Sequence, residues 1–184
     1  MALVGVRAAT REDAPILRAL HRVTWHAAYS ELVPPGALDG LDSPSMQQVW
    51  ADTVAGGATV LIATEGDVPV GFVVAGPAPE GEVAAADGTL PCDTARTALV
   101  STLLVEPRWG RRGHGGRLLV AALTALRDAG ATRGIAWVPA EDPASLNFYR
   151  HAGWEPDGTV RTLDAGGRPL REVRLTGPLD LTLA

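Results

Sequence analysis

The segment LLVEPRWGRRGHGGRLL at 103–119 constrains the fold more than any other part of the chain. Its apolar start reads as a buried strand, its centre as a glycine-rich turn and its end as the beginning of a helix. Such a turn is built for anions. Gly113, Gly115 and Gly116 let the backbone approach a ligand, and the free amides of the first helical turn point at it with the positive end of the helix dipole behind them. Arg111 and Arg112 add side-chain charge at the same place. The pattern predicts a phosphate or pyrophosphate as occupant.

Three phosphate carriers compete for this turn. A dinucleotide fold requires GxGxxG after the first strand and an acidic residue about 20 positions on; here Leu118 stands where the third glycine belongs, and the motif lies past mid-chain. A P-loop requires GxxxxGK[ST], and all 16 basic residues of this chain are arginine. Coenzyme A is the carrier that remains. The segment resembles the central motif of the GNAT superfamily of N-acetyltransferases, in which a strand ending in Val-x-Pro leads to a basic, glycine-rich turn.

The resemblance continues in order along roughly residues 4–180. DPASLNFYRHAGW at 142–154 is similar to the second motif of that superfamily, with Tyr149 at its tyrosine, Ser145 at its small residue and Gly153–Trp154 at its Gly-Phe pair. VRAATREDA at 6–14 matches its opening segment, and WHAAY at 25–29 looks like the WxxAY of one branch. There are departures. Gly110 replaces the usual Gln or Arg before the turn, a charge that Arg111 or Arg112 can supply. Asp142 replaces the usual asparagine, His114 fills a slot that is ordinarily aliphatic, and TALVSTLLV at 97–105 lacks the glutamate that many members carry there.

Composition narrows the classes further. A length of 184 residues with 46% hydrophobic content fits one domain, 1–184, with a sizeable core. A net charge of −5 argues against a nucleic-acid partner, and the arginines gathered at 108–117 suit a small anion better than a polymer. Cys92 is the single cysteine, and no signal peptide or membrane-length apolar run is read, so a bacterial, cytoplasmic protein without a membrane partner is expected. The histidines form no metal-ligand spacing, and no metal is expected.

Hydrophobic periodicity predicts a strand at 3–8, a helix at 11–29 opened by Thr10 and Asp13, a turn-rich link at 32–40 and a helix from Ser43–Pro44 to Ala55. Strands follow at 58–64 and 69–75, then an acidic stretch at 76–93, a strand at 98–105, a helix at 113–128, a strand at 133–138, a helix at 143–151 and a hairpin at 159–163 and 170–175. The expected fold is α/β: a central mixed, largely antiparallel sheet of about six to seven strands flanked by helices. In the first helix Ile16, Leu20, Val23 and Ala27 are expected to face the core. Arg18, Arg22, Trp25 and Tyr29 lie opposite and need a cover, which a loop, a substrate or a second subunit in a homodimer would provide.

The resemblance implies acetyl-CoA as cosubstrate and direct transfer, through a ternary complex, to a primary amine of a small molecule or peptide. It implies that Leu103, Leu104 and Val105 receive the pantetheine arm, that Arg111, Arg112, Gly113, His114, Gly115, Gly116 and Asp142 hold the cofactor, and that His114 packs. Tyr149 is the implied acid for the leaving thiolate, a phenol of pKa about 10 being protonated at neutral pH. Trp25, His26 and Tyr29 are the implied acceptor wall. Candidate bases are Glu141, Asp142, His26 and the acids Glu80, Glu82, Asp87 and Asp93 of a loop that is either filler or a flap. A non-catalytic CoA-binding or regulatory module is the alternative.

Overall fold

The computed structural model describes residues 3–34 and 36–181; Pro35 of the link and the ends of the expected 1–184 domain, residues 1–2 and 182–184, lie outside the described residues. Seven strands form one sheet in the order β1-β2-β3-β4-β5-β7-β6, where β1 is Val4–Ala8, β2 Thr59–Glu65, β3 Val68–Pro77, β4 Thr97–Val105, β5 Arg133–Pro139, β6 Glu155–Asp164 and β7 Pro169–Gly177. Every pairing is antiparallel except β4 with β5. The helices are α1 (Ala14–Tyr29), the short α2 (Asp39–Asp42), α3 (Ser45–Ala55), the short α4 (Glu80–Val83), α5 (His114–Asp128) and α6 (Pro143–His151). Among the described residues no helix is long and apolar enough to cross a membrane.

The sheet buries both faces. Leu118, Leu119, Ala122, Leu123 and Leu126 of α5 pack with Tyr149 and Trp154 on one side, and Leu17, Leu20 and Trp50 of α1 and α3 pack on Ile62, Phe72 and Val74 on the other. The core stripe of α1 differs from the expected one. Ala14, Leu17, Leu20 and Thr24 are buried, whereas Val23 and Ala27 are exposed, so the helix is turned by roughly one residue about its axis. Periodicity defines candidate stripes, but the partners, here β3 and α3, select among them.

The entry to α1 is fixed by charge. Arg7 holds the buried Asp13 through two bonds of 2.7 Å, and the same carboxylate accepts the Thr10 amide at 2.8 Å. The guanidinium, with the backbone amide added, keeps Asp13 ionised down to about pH 2. On the opposite face of α1, Arg18 donates to the Asp42 carbonyl and Arg22 pairs with the Asp42 carboxylate. The cover for these arginines is therefore the segment around α2 of the same chain.

Two irregularities in β4 position the site. The register with β3 passes from Val74–Thr102 to Ala75–Val100, leaving Ser101 as a bulge whose hydroxyl donates to the Val74 carbonyl at 3.2 Å. One extra residue inverts the alternation. Ala98 and Val100 before the bulge, and Leu103 and Val105 after it, thus join the same core on the α5 and α6 side. In addition β4 pairs with β5 only from Thr97 to Leu99, beyond which the two strands part.

Candidate active site

At the end of β4 the chain turns through Pro107–Trp109 into α5, and Gly113 is the N-cap with φ +80°. The first helical bond runs from the Arg117 amide to the Gly113 carbonyl at 3.1 Å, which leaves the amides of His114, Gly115 and Gly116 unused by the helix. Arg111 adopts φ +59°, the left-handed region that favours glycine, so the turn alternates sign at Arg111 and Gly113 and gathers its amides into a concavity. Gly115 also answers a packing constraint, since a Cβ there would stand 3.2 Å from the Phe148 ring.

The two arginines of the turn are not equivalent. Both are exposed, but Arg112 is held at 3.0 Å by Glu65, at the end of β2, and lies over the Trp109 ring at 4.9 Å, whereas Arg111 has no side-chain partner among the described residues. Glu65 also binds His114, Oε2 to Nε2 at 2.9 Å. His114 is only 1% exposed, so its role is more than packing: it ties the start of α5 to β2. Sequence reasoning missed Glu65. Its signal was the imidazole in an aliphatic slot, because a buried polar ring requires a partner.

The gap between the parted strands opens into a cleft of about 670 Å³ of empty space, its open mouth included. Thr102, Leu103 and Leu104 of β4, Trp137, Val138 and Pro139 of β5, and Ser145 and Tyr149 of α6 line one part of it; Trp25, Tyr29 and Val33 extend it along the end of α1, and Leu170 and Glu172 of β7 close it. Tyr149 is 5% exposed and stacks on Trp154 with ring centres 5.3 Å apart. Burial first, and then the neighbouring Tyr29, push its ionisation well above that of an ordinary phenol. Trp154 lies across Gly134 and Gly177, which are paired in register, and a Cβ on either would collide with its indole.

Asp142 stands at the N-cap of α6. Its carboxylate accepts the Ser145 amide at 3.0 Å, the Ser145 hydroxyl at 2.6 Å and the Tyr29 phenol at 3.2 Å. Through these three donors the carboxylate ties the start of α6 to the end of α1. His26 is turned to Asp42, 3.6 Å away, and does not line the cleft, so only Trp25 and Tyr29 of the expected acceptor wall are brought there. Glu141 is exposed beside a separate depression between α1 and α6.

The acidic stretch is an anchored element. Arg174, 4% exposed, donates to Asp157 at 2.7 Å, to Thr159 at 2.9 Å and to the carbonyls of Glu82 and Ala84 at 2.9 and 2.8 Å. Glu82 pairs with Arg161 at 2.7 Å, Asp93 pairs with Arg133 at 2.6 Å, and Asp87 caps its own turn through Thr89. Three of the four loop acids therefore serve the fold. The carboxylate that does reach the cleft is Glu172, which sequence reasoning did not single out.

A mixed sheet that bulges in one parallel strand, parts from the next and meets a glycine-rich helix start beside the gap is an acetyltransferase fold. The model of the acetyltransferase (GNAT) family matches residues 20–154, and the chain belongs to that family. It is 26% identical over 162 residues to a protein of Mycobacterium tuberculosis described as a probable N-acetyltransferase, covering 86% of this chain and 84% of that one. It is 28% identical over 177 residues to an uncharacterized N-acetyltransferase of Bacillus subtilis, covering 96% and 94%. Among solved structures, the PaiA N-acetyltransferase of Thermoplasma acidophilum, crystallised with coenzyme A, superimposes with a TM-score of 0.72 at 14% identity over 96% of this chain and 99% of that one. The yncA protein of Salmonella typhimurium, solved with acetyl-CoA, gives 0.68 at 17% identity over 100% and 98%.

Proposed function

We propose that the protein is an acetyl-CoA-dependent N-acetyltransferase that passes the acetyl group directly to a primary amine. One observation carries the reading: a single cleft joins the gap between β4 and β5, beside the glycine turn, to an aromatic chamber at the end of α1. Two substrates entering from the two sides would meet at Tyr149 without a covalent enzyme intermediate.

The amides of His114, Gly115 and Gly116, with the exposed guanidinium of Arg111, suit the pyrophosphate, because fixed donors at a helix start need no reorganisation to receive it. The unpaired edge of β4 at Leu103–Val105 suits the amide groups of the pantetheine arm. Arg112 contributes through Glu65 and Trp109 by holding the turn in shape. Acetyl-CoA supplies the thioester that is attacked. Tyr149 holds a proton at its phenol oxygen through neutral pH, so it can donate to a departing thiolate whose conjugate acid lies near pKa 8.5.

The test is thiol release from acetyl-CoA against a panel of amines, beside calorimetry of acetyl-CoA alone. Binding together with amine-dependent thiol release is expected. Tight binding with no release for any amine would leave a CoA-binding module instead.

A further inference from the structure

Among the described residues that line the cleft one is a carboxylate, Glu172, set amid aromatic and aliphatic side chains and the hydroxyls of Ser101, Thr102 and Ser145. From the identity of that group and its surroundings we infer that the acceptor is a monoamine on an apolar, arene-bearing body, with Glu172 receiving its ammonium. This inference rests on the acetyltransferase reading and names its substrate class.

Strand alternation decides what surrounds Glu172. Ala136 and Val138 of β5 and Leu175 of β7 belong to the core on the α5 and α6 side. Trp137, Pro139, Glu172 and Arg174 therefore project from the other face, towards the end of α1. There Trp25 and Tyr29 stand with ring centres 4.9 Å apart, and Trp137 and Leu170 complete the wall. Among the described residues no arginine lines the cleft itself, Arg161 standing behind Glu172 and Trp137. An alkylammonium with an aromatic tail matches this lining, since its ring is buried against indole and phenol while its charge meets a carboxylate.

Glu172 is only partly neutralised, by a guanidinium it shares with a second carboxylate. Its Oε2 accepts from Arg161 Nε at 2.6 Å, and its Oε1 has no hydrogen-bond partner among the described residues. Arg161 is shared: its other arm donates to Glu82 at 2.7 Å, and its guanidinium lies over Trp137 at 4.3 Å. Two carboxylates around one guanidinium leave one negative charge. The neighbouring Arg174 is already matched by Asp157, so it does not cancel that charge. A side chain only 12% exposed that carries this excess gains from a bound cation, because the pair is screened little by water. The phenol of Tyr29 reports the same field, its ionisation being raised by burial and then by Asp142 and Glu172.

A single available carboxylate discriminates among amines. Polyamines and aminoglycosides carry several ammonium groups, and those beyond the first would be desolvated against Trp25, Val33 and Leu170 without a counter-charge. A monoamine leaves no charge unpaired; its ammonium gives one proton to solvent before the neutral nitrogen attacks the thioester, and the proton that nitrogen loses as the amide forms and the C–S bond breaks replaces the one Tyr149 gives to the thiolate.

The experiment uses the full chain and two readouts. Calorimetry follows the binding of 2-phenylethylamine and of spermidine to the protein, with and without coenzyme A, and acetylation kinetics follow the same pair of amines. Phenylethylamine is expected to bind and, with acetyl-CoA, to be acetylated with kcat/KM at least tenfold above that of spermidine. Glu172→Gln, which keeps an oxygen for Arg161, is expected to weaken phenylethylamine binding at least tenfold with acetyl-CoA affinity unchanged. Glu155→Gln, an exposed acid outside the cleft, serves as the control without effect. Spermidine preferred over phenylethylamine, or phenylethylamine binding unchanged in Glu172→Gln, would overturn the assignment while leaving the acetyltransferase reading standing. Loss of acetyl-CoA binding in the wild-type protein would instead remove that reading, and amine calorimetry without coenzyme A still decides the role of Glu172.

Discussion

The phenol of Tyr29, the last residue of α1, donates to the carboxylate of Asp142 at 3.2 Å, joining two helices across 113 positions of sequence. Because Asp142 also caps α6, this bond sets the end of α1 against the helix that carries Tyr149. Tyr29→Phe removes one of three donors to a partly buried carboxylate and is expected to cost about 1–2 kcal/mol. Asp142→Asn keeps an N-cap and a carbonyl acceptor and is expected to stay within about 1 kcal/mol of wild type. Denaturant unfolding checks both; an Asn variant weaker than the Phe variant would contradict this division of labour.

Tyr149→Phe retains the stacking on Trp154 and loses only the hydroxyl. A drop of about 10²–10⁴ in kcat with a nearly unchanged acetyl-CoA dissociation constant is expected. Full turnover in the Phe variant would assign the proton to water.

The turn separates conformation from charge. Bulky residues at Gly113 and Gly115 are expected to abolish acetyl-CoA binding, since Gly113 has φ +80° and Gly115 abuts Phe148. Arg111→Gly relieves a left-handed non-glycine residue and is expected to raise stability by up to about 1 kcal/mol. It also removes one exposed charge of the turn, so acetyl-CoA affinity should fall severalfold and lose part of its salt dependence. Calorimetry at two ionic strengths together with thermal unfolding reads both effects.

Arg174 clamps the 80–84 segment to β6 and β7. Arg174→Ala strands Asp157 and two carbonyls and is expected to cost about 3–5 kcal/mol, with the loss spread over the C-terminal half of the sheet. Hydrogen exchange that stayed slow in β6 and β7 of this variant would refute the clamp.

His21 stands edge-on to Trp25 and Trp50, each with ring centres 5.3 Å away, and burial lowers its pKa from 6.5 to about 4. It is neutral in the folded chain and protonates near pH 6.5 once unfolded. Stability present above pH 6.5 is therefore lost as the pH falls from 6.5 towards 4, by up to about 3 kcal/mol. Unfolding measured between pH 7 and 4 should flatten in His21→Phe. The Asp13 contribution lies lower, between pH 3.8 and 2, and does not interfere.

What the sequence determined by itself is local. The glycine turn, α6 at 143–151, α5 and the order of strands and helices follow from φ requirements, caps and periodicity within about ten residues, and all of these are found. What only the tertiary structure decided joins distant positions: Glu65 to His114 over 49 residues, Arg174 to the Glu82 carbonyl over 92, and Tyr29 to Asp142 over 113. The bulge at Ser101 and the rotation of α1 that exposes Val23 belong to the same group, since neither is marked by a glycine, a proline or a change of period. Glu172 is the clearest instance. In sequence it is an ordinary strand acid between Arg171 and Val173, and it comes to line the cleft only because β7 pairs with β5 in the register that opposes it to Pro139.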